Sequence, residues 1–291
     1  MTCFLEGELS ASERDPATAR FRVIPVPLER TVSYGGGTGS GPDAILEAST
    51  ELERLFRGKE PCAAGIATEA PVDCSGPLPE VMERIAARTG AAVAAGAVPV
   101  TLGGEHALSY GAVHGVARAL GRPVGIVQID AHADLRKAYQ GERHSHASVM
   151  QLLAGEDGFR LAQYGVRALC QEEADRRTAC KVISIDAEEL VTGNIQSVTL
   201  PADFPQDIYV SFDVDGLDPA ILPATGTPVP GGLGYYQALG IVQSALAGRN
   251  LAGFDVVELA PDTGSRMSDF TTAQITYALM SFAAEKAKMQ H

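Results

Sequence analysis

From Pro123 to Ile129 the chain is almost wholly apolar (Pro-Val-Gly-Ile-Val-Gln-Ile), and it then presents Asp130, His132 and Asp134 at alternate positions. A short apolar run bounded by Pro and Gly reads as a strand buried on both faces inside a parallel sheet. If the backbone stays extended past Ile129, the three polar side chains point the same way. Two carboxylates and an imidazole converging at the end of a buried strand lose on the order of several kcal/mol of hydration unless a cation neutralises them. A bound metal meets that need. It also requires the rest of the chain to bring further ligands to the same rim.

The remaining pattern alternates between the two kinds of element. Strands are expected over 21–27, 98–102, 161–167, 181–185, 207–212 and 251–257, and helices over 42–55, 78–95, 107–120, 146–154, 171–180, 234–247 and 269–287. With no linker and no internal repeat, this predicts one doubly wound α/β domain over 21–291 with a mostly parallel sheet, preceded by a loose polar arm, 1–20. The glycine-rich stretch from Tyr34 to Gly41 matches neither a Walker A loop nor a dinucleotide fingerprint, and reads as a tight loop at the mouth of a site. Ligands of such sheets bind beyond the carboxyl ends of the strands. Four strand ends deliver polar groups there: Gly103-Gly104-Glu105-His106, the Asp130 group, Asp213-Val214-Asp215, and Glu258.

Four aspartates and two histidines without a thiolate suit Mn²⁺ better than structural zinc, and they are too many for one ion. Six side chains serve two ions if two aspartates bridge, and such a pair, ~3.5–4 Å apart, can activate a water at neutral pH. The carboxylates of Asp130, Asp134, Asp213, Asp215 and Glu258 leave a net negative bias that favours a cationic substrate. A net charge of −13 agrees and argues against a nucleic-acid partner. No apolar stretch is long enough to span a membrane, no signal peptide is visible, and five cysteines without C-x-x-C spacing read as reduced thiols of a cytoplasmic protein.

These motifs resemble the ureohydrolases, the arginase and agmatinase family, and most closely its bacterial agmatinase branch. Besides the four strand ends, the resemblance covers Val26-Pro27-Leu28 with the glycine-rich loop, Ser145-His146-Ala147-Ser148, Ser211-Phe212 and Gly226-Thr227-Pro228. It implies an eight-stranded parallel sheet, a homo-oligomer (trimer or hexamer) and two Mn²⁺ per subunit. One ion would be held by His106, Asp130, Asp134 and Asp213, the other by Asp130, His132, Asp213 and Asp215. The implied reaction is hydrolysis of a guanidinium group to urea and an amine. Glu258 would bind the guanidinium, Asp134 would pass a proton toward the departing nitrogen, and His146 would shuttle protons to the leaving amine.

His144, two residues before His146, is the alternative shuttle, and Ala147 replaces the glycine that often follows the family histidine. The resemblance favours agmatine, hydrolysed to putrescine and urea. Leu135-Arg136-Lys137-Ala138-Tyr139 lacks the small polar residues with which arginases hold their substrate's α-amino and α-carboxylate groups. Arg136 and Lys137 would repel agmatine's free amine and attract a guanidino acid's carboxylate if they faced the site; the alternative is that both face solvent, as charged loop residues usually do. Guanidinobutyrate, guanidinopropionate and formiminoglutamate are the alternative substrates. A zinc deacetylase of related fold ranks lower, because the paired catalytic histidines it needs are not evident.

Overall fold

The computed structural model describes residues 2–156 and 158–287. Eight strands alternate with eight α-helices: β1 Phe21–Val26, α1 Gly41–Ser49, β2 Ile66–Thr68, α2 Leu78–Ala94, β3 Val98–Gly103, α3 Ser109–Leu120, β4 Gly125–Ile129, α4 Val149–Ala154, β5 Arg160–Tyr164, α5 Gln171–Ala179, β6 Ile183–Ile185, α6 Ala187–Thr192, β7 Asp207–Asp213, α7 Tyr235–Ala245, β8 Asn250–Val257 and α8 Met267–Ala287. All eight strands join one sheet in the order β2-β1-β3-β8-β7-β4-β5-β6, and every pairing is parallel. The fold is the single-domain, doubly wound arrangement expected.

Each central strand sends alternate side chains into one of two apolar layers. Ile208, Val210 and Phe212 of β7 join Val127 and Ile129 of β4 beneath α1, α6, α7 and α8. Tyr209 and Ile126 join the layer beneath α2, α3 and α4. Because both faces are covered, these strands read as continuous apolar runs. The order also makes β3, β8, β7 and β4 four consecutive neighbours at the centre of the sheet. They are the four strands whose ends carry the polar groups, so topology alone brings those groups to one rim.

Several expectations need correction. The opening segment is not a loose arm. Phe4 and Leu5 are fully buried, the Leu5 N–H donates to Ser49 Oγ at 3.0 Å, and the Ile66 N–H donates to the Glu13 carbonyl at 2.8 Å. Met1 lies outside the described residues. Helix α1 stops at Ser49 rather than at 55, where the hydroxyls of Ser49 and Thr50 donate to the carbonyls of Leu46 and Glu47, three residues back. Strand β2 and helix α6, of three and six residues, were not anticipated. Among the described residues no helix is long and apolar enough to cross a membrane, and the five cysteines are free thiols.

Candidate active site

Extended pairing does not continue through the Asp130 group. The continuous ladder ends at Ile129, with one isolated parallel bridge from His132 to Ala168 beyond it, and Asp134 adopts a left-handed conformation with φ of 53°. The side chains converge nevertheless. His106, on the single 3₁₀ turn after β3, places its Nδ1 3.1 Å from Asp130 Oδ2, 3.0 Å from Asp134 Oδ2 and 3.2 Å from Asp213 Oδ2. It forms a hydrogen bond with none of them. His132 Nδ1 lies 2.9 Å from Asp215 Oδ2 and 3.6 Å from Asp130 Oδ1. Asp130 thus turns one carboxylate oxygen to each imidazole. Asp213 turns Oδ2 to His106, and its Oδ1 accepts the Asp215 N–H at 2.8 Å.

A buried ring nitrogen facing three carboxylate oxygens without a hydrogen bond is the geometry of ligands around a shared cation. Ligands bound at ~2.1 Å at right angles stand about 3.0 Å apart, close to the spacing observed around His106 Nδ1. All donors are oxygen or imidazole nitrogen, which suits a hard or borderline divalent ion. The residues therefore fit a metal centre. His106, Asp130 and Asp134 form one group able to hold an ion, and Asp130, His132 and Asp215 a second.

The electrostatics of the bare cluster agree. Burial and the neighbouring Asp130 charge push the Asp134 carboxyl up to about 7. Burial, with Asp215 and Asp130 adding to it, holds Asp213 well above the usual carboxylate range. Burial alone would lower the two imidazoles, but their carboxylate partners outweigh it, raising His132 to about 12 and His106 well above its usual value. In the bare cluster, protons supply the positive charge that the carboxylates require.

Supporting contacts hold these side chains from behind. His106 Nε2 lies 2.8 Å from Ser211 Oγ, which donates to the fully buried Asp255 at 2.8 Å. Gln128 Nε2 donates to Asp130 Oδ2 at 2.6 Å, and Gln128 Oε1 accepts from Gln163, whose own Oε1 accepts from Arg177. Such partners fix ring and carboxylate orientation. Sequence reasoning assigned none of them a role. An acid inside a buried strand, as Asp255 is, was the one signal available.

Glu258, the residue after β8, also has a left-handed backbone, with φ of 66°. Its Oε1 accepts the His106 N–H at 2.6 Å, and burial pushes its carboxyl up to about 8. Non-glycine residues in this region of backbone space cluster where a site needs a side chain aimed against local preference. Glu258 and His146 line the same inner pocket as His106, His132, Asp134, Asp213 and Asp215. Burial drives the His146 imidazole down to about 4. His144 packs its ring against Tyr110 at 5.1 Å, away from that lining.

The inner pocket shares Ser33, His132, Asp134, His146 and Thr227 with an outer cavity of about 420 Å³. Of the two basic residues after Asp134, Arg136 lines that cavity and Lys137 is exposed. The Arg136 guanidinium lies over the Tyr139 ring at 5.6 Å, and its Nε is 3.9 Å from Glu173 Oε2.

The comparisons follow the same lines. Residues 19–281 match the Arginase family. An N(1)-aminopropylagmatine ureohydrolase of a Synechocystis species is 37% identical over 98% of this chain and 95% of its own. An agmatinase of Pyrococcus horikoshii is 30% identical over 93% and 94%. The crystal structure of an agmatine ureohydrolase of Thermoplasma volcanium superposes with a TM-score of 0.81 at 26% identity, covering 100% of this chain and 97% of the other. With a family match across most of its length and relatives of 30% identity or more that span nearly all of it, this chain belongs to the arginase family, hydrolases of the carbon–nitrogen bonds of linear amidines.

Proposed function

We propose that the protein hydrolyses the guanidinium group of agmatine, giving urea and putrescine, at a centre of two Mn²⁺ ions. His106, Asp130, Asp134 and Asp213 would hold one ion, and Asp130, His132, Asp213 and Asp215 the other. When bound, the pair supplies a water acidic enough to attack a guanidinium carbon at neutral pH. The observation that carries this reading is the unbonded approach of His106 Nδ1 to three carboxylate oxygens, in a pocket that also contains Glu258.

The chain's own residues supply the rest. Glu258, ionised, pairs with the guanidinium and fixes its carbon over the centre by charge-assisted hydrogen bonding. Asp134 passes a proton toward the departing nitrogen. His146, in the same pocket lining, carries a proton to the amine as the C–N bond breaks. Water thereby contributes its oxygen to urea and its hydrogens to the two products. Arg136, held over Tyr139 and facing Glu173, is partly compensated and does not bar a cationic tail.

A second substrate has specific support. The relative at 37% identity is named for N(1)-aminopropylagmatine, and the outer cavity of about 420 Å³ leaves room for a tail longer than that of agmatine. Urea and formamide release are to be measured over agmatine, N(1)-aminopropylagmatine, guanidinobutyrate, guanidinopropionate and formiminoglutamate. Agmatine turned over no better than the carboxylated compounds defeats the proposal. A preference for the aminopropyl compound moves it to the longer substrate.

A further inference from the structure

The hydroxyl of Thr31 joins three polar groups from distant parts of the chain. It donates to Glu105 Oε1 at 3.0 Å, accepts the backbone N–H of His146 at 3.0 Å, and lies 3.1 Å from His146 Nδ1. A hydroxyl has one proton and two lone pairs. The proton is committed to Glu105, a fully buried side chain whose Oε2 accepts the N–H groups of Arg30 at 2.7 Å and Thr31 at 2.6 Å. One lone pair is taken by the His146 N–H. Only the second lone pair remains for Nδ1, so the ring nitrogen must bring the hydrogen.

We infer that Thr31, anchored by Glu105, holds His146 as the Nδ1–H tautomer and leaves Nε2 as the ring nitrogen that accepts a proton and hands it to the leaving amine. The Tyr139 ring meets that of His146 edge-on, with centroids 5.5 Å apart. Thr31 is a positioning residue. The wrong tautomer would present an N–H where a lone pair is needed, and the transfer would stall. The segment holding Thr31 is itself pinned, since Glu29 accepts the N–H groups of Gly37 at 2.7 Å and Gly39 at 2.8 Å. The segment that leads into the glycine-rich loop therefore does more than border the site, because it carries the residue that sets the shuttle's protonation pattern.

This inference rests on His146 being the proton carrier of the proposed hydrolysis, and the test keeps the two apart. Urea release and metal content are compared for wild type, Thr31→Val, Thr31→Ser, His146→Asn and the Thr31→Val/His146→Asn double variant. Thr31→Val is expected to lower kcat by about tenfold or more, with KM and metal content nearly unchanged. Thr31→Ser restores kcat, and Thr31→Val adds no further loss once His146 is Asn. A full further loss in that background, or a Val variant that loses metal or raises KM at unchanged kcat, overturns the positioning role. The ¹⁵N shifts of the His146 ring in protein loaded with diamagnetic Zn²⁺ read the tautomer without turnover. A protonated Nδ1 is expected, and a protonated Nε2 overturns the inference whatever the kinetics. If His146→Asn leaves kcat unchanged, the shuttle role falls, and the shifts still decide the tautomer.

Discussion

If Glu258 binds the guanidinium as proposed, replacing it by Gln separates substrate binding from metal binding at a single atom. In the wild type Oε1 accepts the His106 N–H at 2.6 Å. A glutamine keeps an acceptor oxygen there, so the turn carrying His106 keeps its anchor and the metal ligands stay in place. What disappears is the negative charge. A buried charge pair that loses one partner typically forfeits ~2–5 kcal/mol. Because the amide oxygen still accepts one hydrogen bond from the guanidinium, the loss should lie near the lower half of that range, about 3 kcal/mol, or roughly a hundredfold in kcat/KM. Steady-state urea release from agmatine, beside metal content and thermal melting, reads each quantity separately. Burial raises the wild-type carboxyl to about 8 in the bare site, and bound dications draw it lower. Since only the ionised form pairs with a guanidinium, kcat/KM of the wild type climbs with pH through that ionisation, and the Gln variant lacks the climb. A variant whose kcat/KM stays within threefold of wild type, with normal metal content, would place the guanidinium elsewhere. One that loses its metal would show that Glu258 acts through the cluster instead.

Three further outcomes follow from the same geometry. Gln128→Ala removes the donor to Asp130 Oδ2 and the acceptor for Gln163; it should cost about 1–3 kcal/mol of stability and about 10–100-fold in metal affinity, read by melting and chelator competition. Gly104→Ala would drive a Cβ into the Leu28 carbonyl oxygen and set it 2.9 Å from that carbonyl's carbon, forcing backbone apart beside His106, so metal binding and melting temperature should both fall. In metal-free protein, Asp134 and Glu258 rise from 3.8 and 4.5 to about 7 and about 8. Folded-state values above the unfolded ones give stability that is complete below about pH 4 and lost progressively until pH has risen through 7 and 8. Stabilisation by Mn²⁺, which displaces those protons, should therefore be greater at pH 8.5 than at pH 6 by differential scanning fluorimetry, and equal shifts would contradict the assignment.

How much was legible in the chain depended on how local the signal is. The central strands announce themselves because they are buried on both faces, and the polar residues at their ends stand out against apolar runs such as Ile208–Phe212. Strand β2 was invisible because Ile66, Ala67 and Thr68 are too few to show a period and pair only with β1 at the sheet edge. The buried start of the chain was misread because Phe4 and Leu5 sit among polar neighbours; what buries them is contact with remote residues such as Tyr277, whose ring centroid is 6.4 Å from that of Phe4. The support for the site was hidden for the same reason. Thr31 meets Glu105 and His146 across 74 and 115 positions of sequence, and no local pattern records such a meeting. The Ser145–Ser148 motif favours His146 over His144 in the sequence; only coordinates show that the His144 ring packs on Tyr110 while His146 lines the pocket.

Elemental analysis of the purified chain equilibrated with Mn²⁺, set beside His132→Ala, tests the account most directly. Two ions per wild-type chain are expected, with no more than one, and greatly reduced urea release, after His132→Ala. A wild-type chain that releases urea while binding no divalent ion, or a His132→Ala variant that keeps both ions and full activity, would contradict it.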